Sequence, residues 1–588
     1  MYHVPMVKSN AKRTLAALLA VVVCAVIAAG VYVFPRRAVP SMFDLVPAER
    51  MVACVRVRGL ASVWRGCEGS SFVKNVREGG IYPMDEIRAG DERFTKVWER
   101  LDNPYWPEVL GRDCVLALYL DRGMLSGAVW SRIGFKTRCF HLWEHCRARL
   151  RFGREKKLES RREGMLGVTT VMDLKRKTPR FSYTLIGDLA VATTGSGGEF
   201  WKRIDSLMAG RERGALTLFG KGTAAERPHG ERPGGGFFAD LQELSDYLDT
   251  RADALPSAGA AEAWARMRDL REWLREIAGG WRRLRGTFYL EGNRLGTEVS
   301  ILAREEAAVK ELRGASRREA VADPLTRLME HRGLLYAGSR YDPQGLLGQF
   351  CRRSGAEAIE FVRRGGTTVF PADHFSLSWL GNDCSLLLYQ DENGMVHAAV
   401  SLLVSDRLLA RERIGRFLNL AHGARIRLVG RDGRQMACTK KPLDVELKRH
   451  EGEPYCLVET GDPIERLYKP TLAMYGDRLL IATADSILGE LDGEKAPSPQ
   501  SWMAPAQAHF MVRGSAAARA AASLTQILSI VTPFVERQAE REMLARARQL
   551  LGAMEWLAPV REGWATAIRE GNEIRVRGGA QFADVGSR

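Results

Sequence analysis

Two stretches of this chain spell nearly the same strand. Leu110-Gly111-Arg112-Asp113-Cys114-Val115-Leu116-Ala117-Leu118-Tyr119 is echoed by Leu380-Gly381-Asn382-Asp383-Cys384-Ser385-Leu386-Leu387-Leu388-Tyr389. A duplicated chain must build one fold twice, and chemistry present in only one copy then needs its own cause. The echo continues in order. Asp121–Ser131 (DRGMLSGAVWS) aligns with Asp391–Ser401 (DENGMVHAAVS), Gly187-Asp188-Leu189-Ala190-Val191-Ala192-Thr193 resembles the run from Gly476 to Thr483, and Glu291-Gly292-Asn293 matches Glu570-Gly571-Asn572. These matches start 270, 289 and 279 residues apart, so loops differ in length while the order is kept.

Both copies break at the same place. Residues 221–236 (KGTAAERPHGERPGGG) and 492–505 (DGEKAPSPQSWMAP) are rich in Gly, Pro and charge, a composition that punctuates packed elements. Each copy therefore reads as two parts, 43–220 with 237–304 and 327–491 with 507–583, joined by a linker at 305–326. Short apolar runs rich in Val, Leu, Tyr and Thr, separated by Gly-Asp or Asp-Arg-Gly, are hairpin signals. They place strands at 51–58, 113–120, 124–130, 165–174, 180–186 and 188–194. Helices are expected at 60–76, 137–150, 199–208, 258–277 and 516–557. The expected fold class is α+β: an internally duplicated body of antiparallel sheets with packed helices, behind one N-terminal transmembrane helix.

That helix is the run 14–34, TLAALLAVVVCAVIAAGVYVF, which carries no charge over 21 positions. At 1.5 Å per residue it spans a hydrocarbon core of about 30 Å. A short tail, 1–13, precedes it, and its small residues Ala28, Ala29 and Gly30 leave a cleaved signal peptide as the competing reading. A long domain following a span is exported largely regardless of nearby charge. The body is accordingly expected outside the membrane, in the periplasm, with the short N-terminus in the cytoplasm. The stretch 524–534 (LTQILSIVTPF) is too short and too polar for a second span. A net charge of +16 and the basic run from Arg147 to Lys157 point to anionic lipid or an envelope polymer for an exported body, with a protein partner also open. Nucleic acid does not fit that setting.

The sharpest catalytic candidate is His141-Leu142-Trp143-Glu144-His145. It has the order of inverted zinc proteases, in which two imidazoles one helical turn apart hold zinc and the Glu activates water. The second copy has Arg413-Ile414-Gly415-Arg416-Phe417 in the corresponding region, with no ligand set, and no third ligand can be nominated. Ten cysteines leave nine outside the apolar run, an odd number that excludes a fully paired framework. Cys67 with Cys114, Cys351 with Cys384 and Cys438 with Cys456 are the pairs an oxidising space would allow. Burial as small hydrophobes is the competing role. Gly234-Gly235-Gly236 lacks the Gly-Lys-Ser/Thr of a phosphate loop. The Gly-rich turn at 194–198 reads as a helix N-cap. No cofactor motif is present.

The start of the body, Leu45-Val46-Pro47-Ala48-Glu49-Arg50-Met51-Val52-Ala53-Cys54, leading to a helix with Trp64, resembles large single-pass exported bacterial envelope proteins of unknown function. The resemblance implies a surface or periplasmic protein with no assigned activity. The second copy departs from it at His331-Arg332-Gly333-Leu334-Leu335-Tyr336. Together these features support a non-enzymatic, membrane-anchored envelope protein whose duplicated body binds a partner or ligand. The alternative is a zinc-dependent hydrolase using His141, Glu144 and His145.

Overall fold

The computed structural model describes residues 42–59, 113–139, 156–215, 234–252, 281–303, 323–344, 356–371, 376–459, 468–492, 506–531 and 560–582, with short interruptions, and isolated positions between 544 and 558. The chain divides into two compact units, with the boundary at Gly292/Asn293 for the described residues.

In chain order, unit 1 contains β1 (Met51–Arg58), β2 (Asp113–Asp121), β3 (Met124–Arg132), β4 (Lys156–Glu163), β5 (Leu166–Asp173), β6 (Thr178–Ile186), β7 (Leu189–Thr194), α1 (Gly198–Met208), β8 (Gly234–Asp240), α2 (Leu241–Ala252) and β9 (Trp281–Glu291). The strands form one antiparallel sheet in the order 9-8-1-2-3-7-6-5-4. One face packs Val115, Ala117, Tyr119, Trp130, Leu189 and Val191 against Trp201, Ile204 and Leu207 of α1. Polar ends of the buried aromatics are satisfied: Trp130 Nε1 donates to the Leu45 carbonyl at 3.1 Å, and Trp201 Nε1 to Ser182 Oγ at 2.9 Å. The Gly-rich turn before α1 serves as its N-cap through backbone shape rather than a side chain. Gly197 sits at φ 63°, and a Cβ there would lie 2.4 Å from Thr193.

Unit 2 contains β10 (Arg294–Ala303), α3 (Pro324–His331), β11 (Gly333–Arg340), β12 (Ala356–Arg363), β13 (Gly366–Pro371), β14 (Leu380–Gln390), β15 (Val396–Val404), α4 (Arg407–Ala421), β16 (Arg425–Gly430), β17 (Gln435–Cys438), β18 (Asp444–His450), β19 (Glu453–Glu459), β20 (Thr471–Tyr475), β21 (Arg478–Ala482), α5 (Ser486–Asp492), β22 (Ala508–Val512), α6 (Gly514–Val531), β23 (Val560–Glu570) and β24 (Glu573–Phe582). Its large antiparallel sheet runs 10-24-23-22-11-14-15-21-20-19-18. A second sheet, ordered 13-12-16-17, packs against α4 through Phe361, which meets the Phe417 ring edge-on at 5.7 Å.

From β23 to β18 this order repeats that of unit 1: β23, β22, β11, β14, β15, β21, β20, β19 and β18 stand where β9, β8, β1, β2, β3, β7, β6, β5 and β4 do. Register refines the sequence alignment. Leu116 pairs with Val129 and Leu386 with Val400, so Val129 corresponds to Val400 at an offset of 271, not 270. The extra residue lies in the turn that opens at Asp391, where Asp391 accepts the amides of Asn393 and Met395.

The α+β expectation is overturned. Among the described residues strand outweighs helix, 58% to 25%, and the helices there are additions to extended antiparallel sheets. The division of each copy into two parts also does not separate layers. β8, from the second part, pairs along β1, from the first, between Ala53↔Ala239 and Arg58↔Gly234. β22 pairs with β11 in the same way. Periodicity locates elements, but it does not show that distant strands share one sheet. No helix among the described residues is long and apolar enough to cross a membrane; the run 14–34 lies outside those residues.

Candidate ligand-binding face

Alternation along a strand sends successive side chains to opposite faces of the sheet. In β14 it sends Leu387 and Tyr389 into the unit 2 core at 0% exposure, and leaves Leu386 on the other face at 37%. In β22, Met511 is buried and Phe510 is 38% exposed. The second face is thus apolar without being a core. α6 covers one end of it, where Leu334, Val512, Ala517 and Ala520 cluster with Leu388 and Val396.

Beyond α6 the face opens into a trough of about 530 Å³, inside the range of roughly 300–1,000 Å³ typical of small-molecule sites. Register pairs define its floor. One row crosses the strands through Val400, Leu386, Ala337, Phe510 and Ala565; the next passes through Leu402, Cys384, Ser339, Ala508, Ala567 and Val576. From β15 to β24 is five strand spacings, roughly 24 Å at about 4.8 Å each. Small side chains make the floor, and Leu386, Leu402, Phe510 and Val576 make the sides.

The corresponding face of unit 1 has Gly235 and Gly286 for Ala508 and Ala565 but is bulkier at three other positions. Phe237 matches Phe510 and Leu116 matches Leu386, but Val55 and Val57 stand for Ala337 and Ser339, and Phe288 stands for Ala567. The Phe288 ring lies over Gly235: a Cβ on that glycine would be 2.6 Å from Phe288 Cζ. Two copies of one face have therefore diverged, one filled by an aromatic ring and one left open.

A second cluster lies on the core side of the hairpin β14–β15. His397 Nε2 is 3.3 Å from Asp391 Oδ2, and its Nδ1 is 3.3 Å from Thr483 Oγ1. Its ring sits between those of Tyr389 and Tyr468, with centroids 5.5 and 5.6 Å away. Burial raises the Asp391 carboxyl, but hydrogen bonds from Met395, His397 and Asn393 outweigh it and hold the group below its ordinary value. Nearby, burial lifts Glu490 above the usual carboxylate range despite the Arg332 guanidinium 3.4 Å away. The Asp-His-Thr order is that of an activated hydroxyl, but Thr483 Oγ1 already accepts the Ala398 amide at 2.9 Å. Thr194 accepts the Gly127 amide in unit 1 in the same way, where Ser126 replaces the histidine. The shared part of the cluster ties strands together.

His141, Glu144 and His145 lie outside the described residues, and no group of metal-ligating side chains occurs among those described. Cys54, Cys114, Cys139, Cys384 and Cys456 stand outside any disulfide. Cys67 and Cys351 lie outside the described residues, and Cys438 is on β17 of the small sheet while Cys456 is on β19 of the large one. Burial pushes the Cys54 and Cys114 thiols up to about 12, the behaviour of packed hydrophobes rather than of reactive groups. Cys114 and Cys384 do share a strand position, and Cys384 lines the trough. Gly234-Gly235-Gly236 is neither a loop nor a phosphate cradle but strand β8, flanked by β1 and β9. The trough itself escaped the sequence reading. Its signal was the pair Phe288 and Ala567, three residues before the matched Glu-Gly-Asn turns.

No protein-family model and no curated protein matches the chain. Among solved structures with a slight likeness are three of TP0453. Crystal form III has 8% identity, covers 57% of this chain and 96% of that one, and has a TM-score of 0.26. Form IV has 8% identity, 44% and 79% coverage and a TM-score of 0.25. Form I has 9%, 57% and 95%, and 0.24. Likeness at this level transfers neither fold nor function.

Proposed function

We propose that this protein is a non-enzymatic binding body of the cell envelope that holds an apolar, acyl-type chain in the unit 2 trough. The observation that carries the proposal is the divergence at one position: Ala567 leaves open the space that Phe288 fills in the other copy. The trough's length suits an extended chain lying across the strands, and its apolar lining offers burial at about 25 cal/mol per Å² of surface. The setting follows from the apolar run 14–34, which would hold the body at the outer side of a membrane, next to acyl chains.

Photo-crosslinking tests this in the full chain reconstituted into bilayers. A diazirine-bearing fatty acid should label peptides of β14, β22 and β23, with unlabelled fatty acid competing. Ala567→Phe, which installs the first copy's residue, should remove that labelling while leaving the chain folded. Labelling confined to 14–34, or unchanged in Ala567→Phe, would exclude the trough as the site.

A further inference from the structure

The two faces of the large unit 2 sheet carry helices of different charge. On the core face, α3 (PLTRLMEH) has one arginine and one glutamate, and α5 (SILGELD) has Glu490 and Asp492 with no base. Leu325, Leu328 and Met329 of α3 and Ile487, Leu488 and Leu491 of α5 cluster there with Tyr336 and Leu387. On the trough face, Leu409, Ala410 and Ile414 of α4 cluster with Leu402, Val404 and Leu479, and Ala517 and Ala520 of α6 with Leu388 and Val396. The trough lies between these two helices: Leu402 borders α4, and Leu386 is two residues from Leu388. Together α4 and α6 hold five arginines, Arg407, Arg411, Arg413, Arg416 and Arg519, against one acid, Glu412. Leu408 stands roughly 200° round α4 from Ala410, on the side turned away from the sheet, and is 81% exposed. Arg416 shares that side, and Arg519 is exposed on α6. Past Val400 the apolar floor continues to Ile481, which is 43% exposed.

We infer that the trough face of unit 2 docks on an anionic bilayer surface, from which the acyl chain enters the trough between α4 and α6. This rests on the reading of the trough as an acyl site. Charge selects the face. An anionic leaflet strengthens the binding of a basic segment about fivefold for each arginine near it. The arginine-bearing helices therefore turn toward the leaflet, and α5 with its two acids turns away. The apolar groups select the occupant. An acidic polymer offers no hydrocarbon layer to Leu408, Ile481 and the open trough. A second copy would set the same arginines against each other. A leaflet meets both demands, with guanidinium groups at the level of the phosphates and Leu408 at the acyl boundary beneath them.

The full chain reconstituted into vesicles tests this, with phosphatidylcholine that carries a diazirine in its acyl chain as the probe. Vesicles of phosphatidylcholine alone are compared with vesicles that also contain phosphatidylglycerol. The peptide bearing Leu408 should be labelled about fivefold more, or better, in the anionic vesicles. That excess should fall as salt rises from about 0.05 to 0.5 M. Arg416→Glu combined with Arg519→Glu should abolish the excess with circular dichroism unchanged. Lys202→Glu, an exposed change on α1 of the other unit, should keep it. A free diazirine fatty acid separates the two readings. If it labels β14 and β22 while the Leu408 peptide is labelled equally in both vesicles, the docking face is overturned and the trough stands. If it labels neither strand, the trough fails and the docking face with it. Protection of Arg416 and Arg519 from phenylglyoxal by polyglutamate, with the Leu408 peptide unlabelled in anionic vesicles, would overturn the inference in favour of an acidic polymer.

Discussion

Arg478 and Asp383 bury opposite charges in unit 2, with side chains only 1% and 5% exposed. The Arg478 guanidinium donates to Asp383 Oδ1 at 2.8 Å and to Ser401 Oγ at 3.1 Å. Unit 1 solves the same position differently. Leu189 and Trp130 stand for Arg478 and Ser401, so an indole fills what serine and guanidinium fill together. The equivalent aspartate, Asp113, is paired with Arg56 at 2.6 Å. Gly338, the counterpart of Arg56, cannot supply that cation, because a Cβ there would meet the Tyr336 hydroxyl at 2.6 Å. Arg478→Leu therefore takes the guanidinium from a buried carboxylate and should destabilise unit 2 by about 3–5 kcal/mol, read as a lower urea midpoint. Asp391 makes a milder case. Its carboxylate accepts amides from Asn393 and Met395 and faces His397, so Asp391→Asn should cost about 1–3 kcal/mol at pH 7. Because the folded carboxyl lies below its ordinary 3.8, the ionised group stabilises the fold above that pH. The stabilisation is lost as pH falls through the lower folded value. The gap between wild type and Asp391→Asn should thus be full at pH 6 and shrink below about pH 4, as measured by urea melts at each pH.

At the scale of elements, β8 and β9 show how strands trade volume. Gly235 and Phe288 oppose each other in unit 1; Ala508 and Ala567 do so in unit 2. A methyl added at Gly235 meets the Phe288 ring and the Arg56 carbonyl. Gly235→Ala should therefore cost about 1–3 kcal/mol through overpacking. Combining it with Phe288→Ala should recover about 0.5 kcal/mol or more relative to the sum of the single changes. A strictly additive double mutant in denaturant melts would sink this account of the two faces. The same strands show what could be read in advance. β1, β2, β3, β5, β6 and β7 were legible because apolar alternation and turn residues mark strands with one buried face. β4 was missed because an edge strand exposed on both sides has no apolar face to betray it; only Lys156 and Lys157 fall in the basic run that ends there. β8 was missed at its start because glycines that signal a loop also permit close strand packing. The trough could not be read because its lining residues come from six strands spread between 337 and 576, and only register brings them together.

At the scale of the molecule, duplication has produced two cores rather than one. Unit 1 buries Trp130, Trp201, Ile204, Leu189 and their neighbours in a single cluster. Unit 2 buries Tyr336, Leu387, Tyr389, Leu480 and Ile487 in another, with smaller clusters beneath α4 and α6. β10 belongs to unit 2, where nine register pairs from Arg294↔Gln581 to Leu302↔Glu573 seal it to β24. A chain with separate cores is not expected to unfold in one two-state step. Trp130→Ala removes a fully buried indole from the first core, at about 3–5 kcal/mol. For a unit of this size that lowers its transition by roughly 10 °C. Leu387→Ala should act in the same way on the second core, at about 2–5 kcal/mol. Scanning calorimetry of the full chain should resolve two components, each variant moving one and leaving the other in place. Because β10 is part of unit 2, a proline at Val299 in the middle of its ladder should move the component that Leu387→Ala moves. If every variant shifted a single shared transition, the two clusters would be one cooperative core and the account of separate cores would fail.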